Sequence, residues 1–192
     1  MECHRKCTEK NPGIKNTGKD ELNIIRRKIM KTADIAKKMI EYSDGNMHDI
    51  CHLLKVYAYA KTIGECEGLD SRTQMTLETA ALMHDIACPL CRKKYGNTNG
   101  KYQEKEGMIL GREFLCGIDI DDDMAERVIF LIGHHHTPSE VDGIDYRILL
   151  EADYLVNADE GGDSHETIEN TMKCIFRTET GTELLKKIYK IN

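Results

Sequence analysis

The sequence predicts an all-α fold, and three observations support this. Apolar residues recur at three- and four-residue intervals along most of the chain, and no alternating strand pattern of useful length appears. Proline occurs only 3 times among 192 residues. With 40% hydrophobic and 31% charged residues, the composition is typical of a folded helical protein, which at this length buries roughly two-thirds of its unfolded surface. We therefore expect a helical bundle with one hydrophobic core.

The predicted helical domain spans residues 20–192 and follows a flexible arm at residues 1–19. The arm is rich in Lys, Asn, Gly and Thr and shows no periodicity. A first helix begins near Asp20 and ends before Ser43, and a second covers about residues 47–66. The apolar positions that define the first helix are Leu22, Ile25, Ile29, Ala33, Ala36 and Ile40.

The third predicted helix covers about residues 72–86. Asp70 and Ser71 precede it and are typical N-cap residues, while Pro89 shortly after it cannot continue a helix. Further helices are predicted at about residues 103–115, 122–135 and 146–159, with one or two more after Gly161 and Gly162.

The charge and the polar N-terminus disfavour several classes of protein. A net charge of -6 provides no basic surface to gather a long polyanion, so we expect no long nucleic acid as a partner. The first ten residues are polar, and no segment approaches the ~18 apolar residues of a membrane span, so we expect a cytoplasmic protein without membrane contact. Eight scattered cysteines in a chain of this size indicate reduced thiols.

Histidine and aspartate residues at inward-facing helix positions indicate a metal site. His84 and Asp85 are adjacent at the end of an apolar run that begins at Leu77. His52 lies one turn before Val56 and shares its inward face. Metal sites in helix bundles are commonly built from imidazoles and carboxylates that converge from several helices. These residues are therefore candidate ligands.

Later helices supply further candidate ligands. Asp153 lies within the apolar run Ile-Leu-Leu-Glu-Ala-Asp-Tyr-Leu-Val, where a carboxylate is costly unless it is paired or bound to a metal. Three consecutive histidines stand at the end of the predicted fifth helix, where His135 and, slightly turned, His136 are in phase with Leu131. They cannot all face inward from one helix. We rank them as ligands in the order His135, His136 and His134.

These residues, in this order, resemble the motif of the HD superfamily of metal-dependent phosphohydrolases. The matching positions are His52 in His-x-x-Lys-Val, His84 and Asp85 in Ala-Ala-Leu-Met-His-Asp-Ile, and Asp153 in Leu-Glu-Ala-Asp. The resemblance covers about residues 47–159. It implies a helical bundle around a metal held by these residues, and hydrolysis of a phosphate ester or anhydride of a nucleotide or similar small molecule.

The resemblance also bears on the number of metals. Family members with a second metal carry additional histidines before the final Asp, and residues 134–136 are similar to that addition. In the HD-GYP cyclic-dinucleotide phosphodiesterases a further His precedes a Gly by four residues, whereas here Gln103 precedes Gly107 and the Gly-Tyr-Pro signature is absent. We expect one or two divalent transition-metal ions (Fe, Mn, Co, Ni or Zn), with Glu104 or Glu106 as further oxygen ligands, and no cyclic-dinucleotide substrate.

The implied reaction assigns catalytic roles to Asp85 and Lys55. A bound metal lowers the pKa of a water molecule that attacks phosphorus, and Asp85 either bridges two metals or orients that water as a base. Lys55 lies one turn beyond His52 and is the best-placed cation for a substrate phosphate. Looser candidates for that contact are Arg92, Lys93, Lys94 and Lys101.

Other assignments remain open at this point. A di-iron oxygenase of the inositol-cleaving type shares the ligand scaffold, and a nucleotide-sensing module would bind without turnover. We expect a small phosphorylated substrate, first of all a nucleotide, and the sequence leaves a homodimer open. His48 is the rival of His52 as first ligand and is expected to be exposed, while Cys88 and Cys91 are expected to be incidental thiols.

Overall fold

The computed structural model describes residues 32–191, which fold into α-helices joined by short loops. No strand forms within that range, which confirms the all-α prediction. The predicted arm and the first part of the first helix lie outside the described residues. The helices are α1 (Thr32–Tyr42), α2 (Met47–Cys66), α3 (Ser71–Met83), α4 (Cys88–Tyr95), α5 (Gly100–Leu115), α6 (Asp122–Ile132), α7 (Ile144–Glu160), α8 (His165–Ile175) and α9 (Glu179–Tyr189).

The centre of the bundle is formed by α2, α3 and α7, which pack against one another. Helix α6 closes one side of α3 and also packs against α5, while α1 covers another side of α3. Helix α7 is buried around most of its circumference, with Ile148, Leu149 and Ala152 completely inaccessible. Any polar side chain on the middle of α7 therefore lies inside the protein.

Apolar packing gives this centre its stability. Val56 on α2, Leu77 on α3 and Leu131 on α6 are all fully buried, and each such side chain contributes roughly 1.5–3 kcal/mol relative to an exposed position. This packing offsets the cost of enclosing the histidines and carboxylates described below. No helix in the described part of the chain is long and apolar enough to cross a membrane.

Two helices end about three residues earlier than the sequence predicts. Helix α3 ends at Met83, and Pro89 lies in the first turn of a new helix, α4, where its missing N–H needs no intrahelical partner. Helix α6 ends at Ile132 and is followed by Gly133 as its C-cap residue. The three histidines at 134–136 therefore lie beyond the helix on which they were predicted.

Candidate metal centre

Three helices bring His52, His84 and Asp153 to one point in the core. His52 projects from the middle of α2, His84 follows the last turn of α3, and Asp153 projects from α7. Their exposed fractions are only 5%, 1% and 7%. The mutual packing of α2, α3 and α7 thus determines the position of each side chain.

The three side chains converge through one atom each. His52 Nε2 lies 3.2 Å from His84 Nε2, and both nitrogens lie 3.3 Å from Asp153 Oδ1. Asp153 Oδ1 is buried and has no hydrogen-bond partner among the described residues. A buried carboxylate oxygen without a donor is costly, so this geometry calls for a cation at the point of convergence.

The contact of the other nitrogen of each ring leaves the converging nitrogen as the one able to bind a metal once the ring is neutral. His52 Nδ1 lies 2.9 Å from Glu160 Oε2, and His84 Nδ1 lies 2.9 Å from the carbonyl oxygen of Ala81. Both oxygens can only accept, so each Nδ1 donates and each neutral ring presents the Nε2 lone pair to the centre. Two imidazole nitrogens and a carboxylate oxygen are a donor set that fits a divalent transition metal.

A second group of donors adjoins the first and consists of Asp85, His135 and His136, whose ligand atoms lie within 4.8 Å of one another. His135 Nδ1 donates to the carbonyl oxygen of Ile132 at 2.8 Å. His135 Nε2 is buried, lies 3.4 Å from Asp85 Oδ1, and has no hydrogen-bond partner among residues 32–191. This group therefore also fits a metal ion.

Asp85 lies between the two groups. Its Oδ2 is 3.6 Å from His52 Nε2, whereas its Oδ1 is 3.4 Å from His135 Nε2 and 3.8 Å from His84 Nε2. The side chain is 29% exposed, so it also reaches the solvent side of the centre. A carboxylate in this position is able to serve both groups.

The electrostatics of the cluster keep its carboxylates ionised. Burial raises the pKa of Asp85 and of Asp153, but the adjacent histidines outweigh burial and hold both pKa values well below their usual range. Burial lowers the pKa of His84, yet the carboxylates of Asp85 and Asp153 raise it to about 9. Burial and the neighbouring His135 lower the pKa of His136. At neutral pH a metal ion would therefore compete with a proton on His84.

The histidine segment after α6 is held by specific contacts. The Tyr146 hydroxyl donates to the carbonyl oxygens of His134 and Thr137, the second at 2.8 Å. Glu104 accepts from His136 N at 3.1 Å and from the Thr137 hydroxyl at 2.8 Å. These contacts hold the turn that places the His135 side chain in the core. The sequence predicted the same inward position for His135, but from the periodicity of a helix that in fact ends before it.

Several candidate ligands are engaged elsewhere. His134 donates through Nδ1 to the carbonyl oxygen of Phe130 at 2.7 Å and lies outside both donor groups. Glu104 supports the histidine segment, and Glu106 accepts from Lys94 at 2.9 Å. His48 is 72% exposed at the side chain. None of these four residues belongs to either donor group.

Lys55 points to a carboxylate. Its Nζ lies 3.1 Å from Glu160 Oε1, and the side chain is 47% exposed. Because Glu160 also contacts His52, Lys55 is connected to the donor cluster through one intermediate residue.

A cleft of about 170 Å³ opens over the cluster. Arg92 lines it and forms an ion pair with Asp49 on α2. Gln103 also lines it, with its amide fixed by donation to the carbonyl oxygen of Thr98 at 2.8 Å and by acceptance from the Cys88 thiol at 3.1 Å. The other residues that line the cleft are His48, Asp49, His52, Asp85, Cys88, Thr98, His136, Asp153, Asn157 and Glu160.

Sequence reasoning missed several of these residues. Glu160 ends α7 at 108 positions from His52, and no local pattern connects them. Gly100 was also missed: a Cβ there would lie 2.7 Å from His136 Cγ, so the start of α5 requires a glycine to accommodate that ring. Its position in the Asn-Thr-Asn-Gly loop indicated only a turn.

Comparison with known families agrees with this geometry. A family model described as the HD domain matches residues 49–158, which is more than half of the chain and includes His52, His84, Asp85, Asp153 and the histidine segment. The chain belongs to the HD domain family. No curated protein matches the sequence.

Three solved structures share the fold of this HD domain. One is described as a predicted HD superfamily hydrolase from an uncultured Thermotogales bacterium, with a TM-score of 0.59 and 22% identity over 88% of this chain and 91% of the other. The Lin1889 protein from Listeria innocua has a TM-score of 0.55 and 21% identity, over 84% and 91%. YpgQ from Bacillus subtilis has 0.54 and 20%, over 84% and 90%. At these identities the likeness shows the fold alone.

Proposed function

We propose that this HD domain is a metal-dependent phosphohydrolase that cleaves a phosphate ester or anhydride of a small nucleotide or other phosphorylated metabolite. The observation that carries the proposal is the convergence of His52 Nε2, His84 Nε2 and Asp153 Oδ1 at 3.2–3.3 Å, where Asp153 Oδ1 has no hydrogen-bond partner among the described residues. Membership of the HD family supports the same conclusion.

Six residues would hold two metal ions. His52, His84 and Asp153 would provide the fully buried position, His135 and His136 the second and more exposed position, and Asp85 would contribute to both. A divalent transition metal bound there lowers the pKa of a coordinated water and polarises a phosphoryl oxygen. Within this centre Asp85 would orient the attacking water, because its partly exposed carboxylate can accept a hydrogen bond from it.

The charge of the cleft explains why a phosphorylated substrate needs the metals. Asp49, Asp85, Asp153 and Glu160 all line the cleft, whereas Arg92 is its only Lys or Arg among residues 32–191. Four carboxylates against one guanidinium repel a phosphate dianion, and bound divalent cations reverse that balance. This charge also disfavours a long nucleic acid in the cleft, because Arg92 is the one basic Lys or Arg side chain among its described lining residues.

Arg92 is the residue proposed to bind the substrate phosphate. Its side chain lies in the cleft wall and is 41% exposed, although its guanidinium also forms an ion pair with Asp49. Lys55 instead contacts Glu160. A guanidinium also offers paired donors that match phosphate oxygens. Arg92 therefore replaces Lys55 as our leading candidate for this contact.

The test is metal-dependent phosphate release from a panel of phosphorylated compounds. Protein stripped of metal and reloaded with Mn, Fe, Co, Ni or Zn is incubated with nucleoside mono-, di- and triphosphates, sugar phosphates and a phosphodiester. We expect hydrolysis of one chemical class in the loaded protein and none in Asp85→Asn. Arg112→Ala is the matched control for Arg92→Ala, because Arg112 pairs with Glu126 on an exposed surface.

Two other outcomes would replace the proposal. Dioxygen consumption by the ferrous protein, without phosphate release, would favour an oxygenase. Tight nucleotide binding without turnover in any metal-loaded form would favour a sensor.

A further inference from the structure

His52 differs from the other buried imidazoles in the group that holds its Nδ1. His84 and His135 each donate through Nδ1 to a backbone carbonyl oxygen three residues earlier, at 2.9 and 2.8 Å. His52 Nδ1 instead faces a carboxylate, Glu160 Oε2, at 2.9 Å. Of these three rings, only His52 thus has at its Nδ1 a side-chain partner that a substitution can remove.

The carboxylate of Glu160 is itself fixed. Glu160 is the last residue of α7, and its side chain is only 17% exposed. While Oε2 faces His52, Oε1 accepts from Lys55 Nζ at 3.1 Å. The two partners lie one turn apart on α2, so Glu160 joins the end of α7 to the helix that carries the first candidate ligand.

We propose that Glu160 is a positioning residue for the metal centre and that Lys55 acts through it. Glu160 accepts the Nδ1 proton of His52, which holds the ring in the tautomer whose Nε2 lone pair faces His84 and Asp153. A carboxylate acceptor also increases the basicity of the imidazole and strengthens its bond to a metal. The inference rests on the proposed function only in treating the cluster as a metal centre.

This assignment gives Lys55 a role that differs from a substrate contact. If Lys55 orients Glu160, its removal weakens metal binding, and the loss disappears once Glu160 has been removed. If Lys55 binds the substrate phosphate, its removal raises KM and leaves metal affinity unchanged. A double-mutant cycle on metal affinity therefore separates the two roles.

The experiment measures the affinity of stripped full-length protein for Co²⁺ and Zn²⁺ by competition with a chromophoric chelator, and the visible spectrum of the Co²⁺ form. We expect Glu160→Ala to bind about 10–100-fold more weakly. Glu160→Gln should lose less, because its amide oxygen still accepts from His52. Lys55→Ala should lose up to about tenfold alone and nothing further in the Glu160→Ala background. The Co²⁺ spectrum should shift in Glu160→Ala.

The matched control is a remote Lys–Glu pair on α9. Lys187 Nζ lies 2.8 Å from Glu183 Oε2, and both side chains are exposed. Glu183→Ala and Lys187→Ala should bind metal as the wild type does. Circular dichroism and metal-free melting of each variant detect any loss of fold, and the near-isosteric Glu160→Gln keeps the test valid if Glu160→Ala unfolds.

The outcomes are distinct from those of the hydrolase test. Wild-type affinity and an unchanged Co²⁺ spectrum in both Glu160 variants would overturn the inference, as would a wild-type protein that binds no metal. Weaker binding in Lys55→Ala that adds fully to that of Glu160→Ala would overturn the role of Lys55. Weakened metal binding in a protein that releases no phosphate would support Glu160 and reject the phosphohydrolase.

Discussion

Metal binding to this protein should displace a proton from His84. The affinity of the protein for the metal should therefore rise with pH. The ring is 1% exposed, and the carboxylates of Asp85 and Asp153 outweigh its burial and raise its pKa to about 9. At pH 7 the metal-free ring is therefore mostly protonated, and a metal ion must displace that proton. Affinity should increase about tenfold per pH unit between pH 6 and 8, because a ligating imidazole must be neutral.

Isothermal titration in two non-chelating buffers of different ionisation enthalpy counts the protons released. We expect at least about one proton to be released per chain at pH 7, when the metal that His84 would bind is taken up. An affinity that changes less than about threefold between pH 6 and 8, with no proton released, would refute this electrostatic reasoning. The folding stability of the metal-free protein depends on pH in the opposite direction to metal affinity. The raised pKa of His84 stabilises the metal-free protein fully below about pH 6.5, and that contribution is lost as pH rises through about 9.

Three further predictions concern the second donor group and the cleft above it. His135→Ala should lower the rate of phosphate release about a hundredfold by loss of a metal position, whereas His134→Ala should stay within about twofold; kinetics on the metal-loaded proteins compare them. Arg92→Ala should raise KM about tenfold or more with unchanged metal affinity. An unchanged KM would exclude a contact between Arg92 and the substrate phosphate. Gly100→Ala should displace the His136 ring, since the added Cβ would lie 2.7 Å from its Cγ, and lower metal content despite alanine's better helix propensity; full content would contradict this.

The buried half of the centre was accessible from sequence because it obeys helical periodicity. His52 lies one turn from buried Val56, and Asp153 lies within an apolar run, so a single rule places both in the core. The cost of an enclosed carboxylate then indicates a cation. The HD resemblance rested on the same residues, and the family match confirms it.

The other half depends on contacts that no periodicity encodes. His135 is buried by a turn after Gly133, once helical phase has ended. Arg92 meets Asp49 across 43 positions, and Glu160 meets His52 across 108. Such pairs form only when helices distant in sequence pack together, so a single sequence without their geometry cannot reveal them.

The most direct test of the account is the metal content of the protein purified without chelator, measured by elemental analysis beside His84→Ala and His135→Ala. We predict about two transition-metal ions per chain, about one in His135→Ala, and loss of the buried metal in His84→Ala. A wild-type protein that holds no metal and takes none up on reloading, or a His84→Ala variant with full content, would contradict it.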